Sequence, residues 1–213
     1  MDYCSTFVPM DEKRLEIIER ASAVYMKFGI KSVTMDDLSR ELGVSKKTIY
    51  KYFSDKNDLI KSIIEMKVEM DTAICINCSQ QSENAIEELI SVSKFVLEHF
   101  GNINPTVFYD LQKHYKDAWK ILEDHKWHFV LNMIKTNIER GIKEGVYRDD
   151  LHVSVIARLY VASIENIMNS EIFPWPEFKF QEVFSEMIRL HLNGIANEAG
   201  IKYLKQTMNN EQI

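Results

Sequence analysis

The chain has 213 residues, 46% hydrophobic and 11% aromatic, enough apolar material for one or two domains with a buried core. It has no run of about 18 apolar residues, so no transmembrane helix and no membrane partner are expected, and residues 1–10 (MDYCSTFVPM) lack the basic start and long apolar stretch of a signal peptide. Net charge is −6, and three cysteines, an odd number, build no disulfide framework in a chain this long; the expected compartment is the cytoplasm.

That charge is unevenly spread. Residues 1–60 carry 10 Lys+Arg and 10 Asp+Glu, whereas the remainder carries 16 and 22. Within residues 44–56, Lys46, Lys47, Lys51 and Lys56 stand against one acid, Asp55. A short basic stretch on a neutral unit, attached to an acidic body, suits contact with DNA along one edge. A solvated helix face has the same composition, so charge alone decides nothing.

Apolar spacing is helical nearly throughout, and no period-2 strand stands out. Leu15, Ile18, Ala21, Tyr25 and Phe28 form one stripe of a first helix over 11–28, and Gly29 suits a left-handed position after it. Thr34 reads as the N-cap of a second helix, with Asp36 and Asp37 in its first turn and Leu38 and Leu42 inward. Gly43 ends that helix, and Ser45 caps a short third one reaching Tyr52. Asp55 or Ser54 caps a long fourth helix, with Leu59, Ile63, Met66, Met70 and Ile74 on one side. Further helices are expected at about 84–100, 105–114, 117–144, 151–171 and 177–193. The fold class is all-α, with about nine helices: an N-terminal helix-turn-helix domain over 1–58, whose residues 1–10 form a flexible arm, and a helical domain over 59–213.

Helix, tight turn and helix is the arrangement that lets a short second helix enter the major groove while the first crosses the backbone. Here the pieces are MDDLSREL, GVS and KKTIYKYF. Gly43 supplies the positive φ of the turn, and Val44, Ile49 and Phe53 point back toward Leu38 and Leu42. Lys46, Lys47, Thr48, Tyr50, Lys51 and Tyr52 are left outward. Lysines neutralise phosphates, and hydroxyls bond phosphate oxygens or base edges.

The stretch 21–59 resembles the DNA-binding domain of the TetR family of bacterial repressors. The matching landmarks are Phe28-Gly29, Val33-Thr34, Leu38, Leu42-Gly43-Val44-Ser45, Thr48-Ile49-Tyr50, Tyr52-Phe53, Lys56 and Leu59. Ser39 replaces the family's usual alanine and Lys47 its frequent glycine, which bears on operator preference. Carried over by position, the resemblance implies base-edge contacts from Lys47, Thr48 and Lys51. It implies phosphate contacts from Thr34, Ser45, Lys46, Tyr50, Tyr52 and Lys56. It also implies a homodimer on double-stranded operator DNA and a C-terminal domain that binds an unknown small-molecule effector.

In that C-terminal domain, Tyr109, Tyr115, Trp119, Trp127, Phe129, Met133 and Tyr160 are the large side chains able to line a cavity; ordinary core would look the same. Such a lining suits a mainly apolar or aromatic ligand. The last two long helices are the family's dimer-forming pair. Ile156, Leu159, Tyr160, Ser163 and Ile167 on one, and Val183, Phe184, Met187, Ile188 and Leu192 on the other, are the candidate interface residues. Cys75 and Cys78 invite a redox or metal reading, but they fall late in a helix rather than at its start after a strand. No metal site and no cofactor are expected. No Ser/His/Asp set, Gly-rich phosphate loop, HExxH or carboxylate pair appears, so the chain is not read as an enzyme. The function expected is a DNA-binding repressor released by a ligand; an activator, or a regulator without an effector, is the alternative.

Overall fold

The computed structural model describes residues 11–104, 106–169, 171–174 and 176–210; the expected arm over 1–10 lies outside them, as do Pro105, Ser170 and Trp175. Among the described residues every regular element is helical, apart from one isolated antiparallel pairing of Tyr147 with Ala196.

The first three helices are α1 (Glu12–Phe28), α2 (Met35–Leu42) and α3 (Lys46–Tyr52), followed by the long α4 (Lys56–Gln81). Each start has a chemical cause. The side chains of Asp11, Thr34, Ser45 and Asp55 accept from backbone N–H groups in the first turns of α1, α2, α3 and α4 respectively. At Thr34 the cap is reciprocal, since the Asp37 carboxylate returns to the Thr34 N–H at 3.1 Å. Gly43 closes α2 at φ 67 and ψ 28, in the left-handed region expected. Gly29 has positive φ too, 86, but an extended ψ of 150; a Cβ there would lie 2.7 Å from Thr106 Oγ1.

After α5 (Ala85–Phe100) and α6 (Thr106–His114) comes one continuous rod. It runs α7 (Lys116–Asp124), a π-helical stretch over His125–Val130, and α8 (Leu131–Lys143). Two helices expected from sequence follow, α9 (Val153–Ile167) and α10 (Phe180–Ile195), each starting a little later than periodicity suggested. A further helix, α11 (Glu198–Asn210), was not expected, and with the rod counted once it brings the helices among the described residues to ten, against about nine expected. Asn197 anchors it, donating to the carbonyls of Gly145 and Tyr147 and accepting from the Gly200 N–H, while Leu204 is buried beneath.

The apolar interior falls into two clusters. The first joins Ile17, Ile18, Tyr25, Leu38, Ile49 and Phe53 to Leu59, Ile60, Ile63 and Ile64 of α4, and continues into Val107, Leu111 and Ala118 of α6 and α7. The second is built from α5, α8, α9, α10 and α11, and no residue of α4 belongs to it. Late in α4 the side read from sequence is no longer the inner one: Met70 is 54% exposed, whereas Cys75 is buried. The α4–α5 corner is held by Arg140 of α8, which donates to the Ser79 and Ser82 carbonyls and pairs with Glu88 at 3.1 Å and Glu144 at 2.6 Å.

Close approach constrains the far end of α8. A Cβ on Gly141 would lie 2.1 Å from the ring of Tyr147, whose hydroxyl donates to Asn137 Oδ1 at 3.2 Å. Neither backbone nor ring has room to yield, since Tyr147 is fully buried. Gly141→Ala is expected to lower the unfolding free energy by about 2–3 kcal/mol through overpacking, measurable by urea denaturation.

Candidate nucleic-acid interface

The third helix is pinned by its inner face and free on the outer. Ile49 and Phe53, one turn apart, are fully buried with Leu38 and Leu42, and Val44 packs beside them. That anchoring leaves Ser45, Lys46, Lys47, Tyr50 and Lys51 exposed and Thr48 half-exposed. Tyr50 keeps 45% of its surface open. The Ser45 hydroxyl, besides accepting from the Thr48 N–H at 3.0 Å, lies 2.8 Å from the Thr48 hydroxyl, so the two oxygens form one polar edge.

The lysines are not equivalent. Lys47 has no hydrogen bond or ion pair among the described residues and stands in solvent. Lys51 leans over the Tyr52 ring, 5.2 Å from its centroid, and Tyr52 is half-buried against the first cluster rather than fully outward. The Lys46 ammonium reaches back to Asp36 on α2 at 2.8 Å, which holds its pKa above the ordinary value. An exposed pair of this kind is weak and screened by solvent, so a phosphate can displace it. Thr34 is engaged by Asp37, so a phosphate at the start of α2 must compete with that carboxylate.

Lys56 departs most from its sequence reading. Its ammonium donates to the backbone carbonyls of Ile30 and Val33, both at 2.6 Å, and lies 5.3 Å from the Tyr25 ring centroid. Burial is the main influence on it and lowers its pKa, against the opposing pull of Asp110 and Asp37. From the other side, buried Asp110 of α6 accepts from the Lys31 N–H at 2.8 Å, and the Asn104 N–H donates to the Met26 carbonyl at 2.8 Å. The loop between α1 and α2 is thus gripped by α4 and α6 together. No sequence signal pointed to Asp110, because an acid in a helix reads as surface until its burial is known.

A short helix anchored by two apolar residues behind a left-handed glycine turn, with lysines and hydroxyls outward, has the form of a recognition helix. The sequence profile of the bacterial regulatory proteins of the tetR family matches residues 17–63. The helix-turn-helix-type transcriptional regulator YhgD of Bacillus subtilis (strain 168) is 30% identical over 163 residues, 73% of this chain and 83% of that protein. The chain belongs to the TetR family.

Solved structures share this helical architecture over most of its length. A transcriptional regulator from Saccharomonospora viridis in complex with choline superposes with a TM-score of 0.73 at 18% identity, over 89% of this chain and all of that one. The transcriptional repressor KstR2 of Mycobacterium tuberculosis, a ketosteroid regulator, is 20% identical; its structure covers 89% of this chain and 97% of its own, with a TM-score of 0.60. The chain is a transcriptional regulator of this family.

In this TetR-family chain, α9 and α10 leave an apolar groove of about 650 Å³ between them. Ile156, Leu159, Tyr160, Ser163, Ile167, Val183 and Met187 line it, together with Leu190 and His191, which sequence reading did not select. Leu190 is 72% exposed and Leu159 60%. Phe184, Ile188 and Leu192 instead turn inward: they are buried in the second cluster, because α10 presents one face to α5 and the opposite one to solvent.

The seven residues read as a cavity lining do not meet around one space. Tyr115 and Trp119 pack on the first cluster, whereas Trp127, Met133 and Tyr160 belong with the second. Phe129 stacks on His125 at 5.0 Å. Tyr109 is 54% exposed on the outside of α6, its hydroxyl accepting from Lys113 at 2.6 Å, so it lines no cavity. Burial pushes the Cys75 thiol up to about 12 and raises Cys78 as well, the wrong direction for a reactive thiolate. Among the described residues no three His, Cys, Asp or Glu side chains are placed to hold a metal, and no helix is long and apolar enough to cross a membrane.

Proposed function

We propose that the chain is a cytoplasmic repressor that binds an inverted-repeat operator as a homodimer and lets go when a small molecule occupies its C-terminal domain. The division runs near residue 58, with 1–58 meeting DNA and 59–213 carrying dimerisation and ligand. Its chemistry is recognition, with no catalytic step. The carrying observation is the outer face of α3, where Lys47, Thr48, Tyr50 and Lys51 project from a helix immobilised by Ile49 and Phe53.

Lys47, Thr48 and Lys51 are assigned to base edges. Thr34, Ser45, Lys46, Tyr50 and Tyr52 are assigned to phosphates, with the half-buried Tyr52 presenting only its rim. One such helix covers too little DNA to select a site, and a two-fold protein matches a two-fold operator. The repressor's sense of action is supported by the likeness to KstR2, and the ligand by the choline-bound and ketosteroid-regulating relatives.

Selection from random duplexes tests this directly. An inverted repeat should emerge, and its absence at low ionic strength would remove the proposal. Lys47→Ala is expected to weaken operator binding by about 1–3 kcal/mol and relax preference at one base position per half-site, read by competition gel shift.

A further inference from the structure

We propose that Asp36 is a specificity-determining residue of the DNA contact: its carboxylate keeps the Lys46 ammonium from loosely bound DNA and yields it where the recognition helix seats fully. The inference rests on the operator reading above and deepens it. Lys46 opens α3, yet its side chain runs back across the glycine turn to the first turn of α2. There the ammonium meets both carboxylate oxygens of Asp36, Oδ1 at 2.8 Å and Oδ2 at 2.9 Å. Among the described residues no other ion pair joins α2 to α3.

The neighbouring acid is already engaged. Asp37 accepts from the Thr34 hydroxyl at 2.6 Å and from the Thr34 N–H at 3.1 Å, and it pairs with Arg40 inside α2. The Asp36 carboxylate, by contrast, has Lys46 as its one partner among the described residues, and its side chain is 67% exposed. The lysines of α3 therefore differ in kind. Lys47 and Lys51 face solvent with no ion pair among the described residues, whereas Lys46 and Asp36 together present no net charge.

Sequence-blind binding comes from cations that neutralise phosphates and release counterions. A free lysine on its flexible stem finds a phosphate in almost any docked pose. A paired one releases a counterion only where a phosphate displaces the carboxylate, and that phosphate must lie close to the start of α2. The displaced Asp36 then faces the duplex backbone as an uncompensated negative charge. An operator whose base edges draw α3 to full depth brings a phosphate to that point; a chance sequence does not. Lys46 thus strengthens the operator complex and adds little to the others, and discrimination is the difference between the two affinities. Because an exposed pair is weak, the effect is a few-fold.

The test titrates fluorescent duplexes with the full chain and its variants over a range of potassium chloride concentrations. One duplex carries the inverted repeat obtained by selection, the other a scrambled sequence of equal length. Asp36→Asn removes the charge and nearly keeps the shape. It should bind the scrambled duplex about fivefold more tightly at low salt, with the dependence of log affinity on log salt steeper by about one unit for each protomer in contact. Affinity for the repeat should rise less than about twofold, so preference for it should fall by roughly threefold. Asp36→Glu, whose longer carboxylate still reaches Lys46, should behave as the natural protein. In a Lys46→Ala background, Asp36→Asn should gain little on scrambled DNA. An unchanged affinity for scrambled DNA in Asp36→Asn overturns the inference, and so does a gain that persists without Lys46. An equal rise on both duplexes overturns it as well, being plain repulsion, and a fall on the repeat would make the carboxylate a guide that aims Lys46. All of these outcomes leave DNA binding in place. If the natural protein holds neither duplex at low salt, it is the operator reading that fails.

Discussion

Replacing both Leu159 and Leu190 with glutamate should turn the protein into a monomer that has lost its operator. Both side chains stand well exposed on either side of the α9–α10 groove, so the substitutions disturb nothing inside the chain. Within a dimer each would be buried, at about 1.5–3 kcal/mol per leucine, and a two-fold axis uses every residue twice. Four leucines lost, and four carboxylates gathered in their place beside Glu182 and Glu186 on the groove's own rim, remove well over about 6 kcal/mol from association. Sedimentation should then report a monomer at micromolar concentration, and operator affinity should fall at least about a hundredfold, because each half-site is held alone. Helical circular dichroism should be unchanged. A variant that remains dimeric would place the interface elsewhere on the molecule.

The all-helical class and the helix-turn-helix were legible because their signals are local. Caps at Thr34 and Ser45, the glycine turn at Gly43 and the i,i+4 pair Ile49 and Phe53 specify a helix-turn-helix without help from the rest of the chain. Lys56 and Asp110 were opaque for the opposite reason. A lysine at a helix start and an acid in a helix read as surface groups, and only the fold reveals that both close on the backbone between α1 and α2. Periodicity likewise identified α10 as amphipathic but could not say which of its two apolar faces packs inside. Phe184, Ile188 and Leu192 took the inner one, leaving Val183, Met187 and Leu190 outside. A helix as long as α4 changes neighbours along its length, so a stripe that is right at Leu59 and Ile63 fails at Met70, which is exposed, and misses Cys75, which is buried. Helix α11 escaped notice because its few apolar residues bury themselves only by docking on the turn after α8.

Lys56→Met should lower the stability of the protein by about 2–4 kcal/mol, read by urea unfolding. Two carbonyls, of Ile30 and Val33, each lose a part-buried charged donor at 2.6 Å, and an acceptor left without its partner costs about 1–3 kcal/mol. Operator affinity should drop as well, yet in a way that sets this residue apart from the exposed lysines. Removing a lysine that neutralises a phosphate flattens the dependence of log affinity on log salt by about one unit. An ammonium already spent on two carbonyls releases no counterion when DNA arrives. Lys56→Met should therefore keep the natural slope while losing affinity at every salt concentration, because the start of α2 is no longer held in register with α4. Lys51→Ala should do the reverse, flattening the slope and leaving the unfolding curve in place. A flattened slope in Lys56→Met, with stability intact, would mean that the ammonium leaves its carbonyls for the backbone of the duplex.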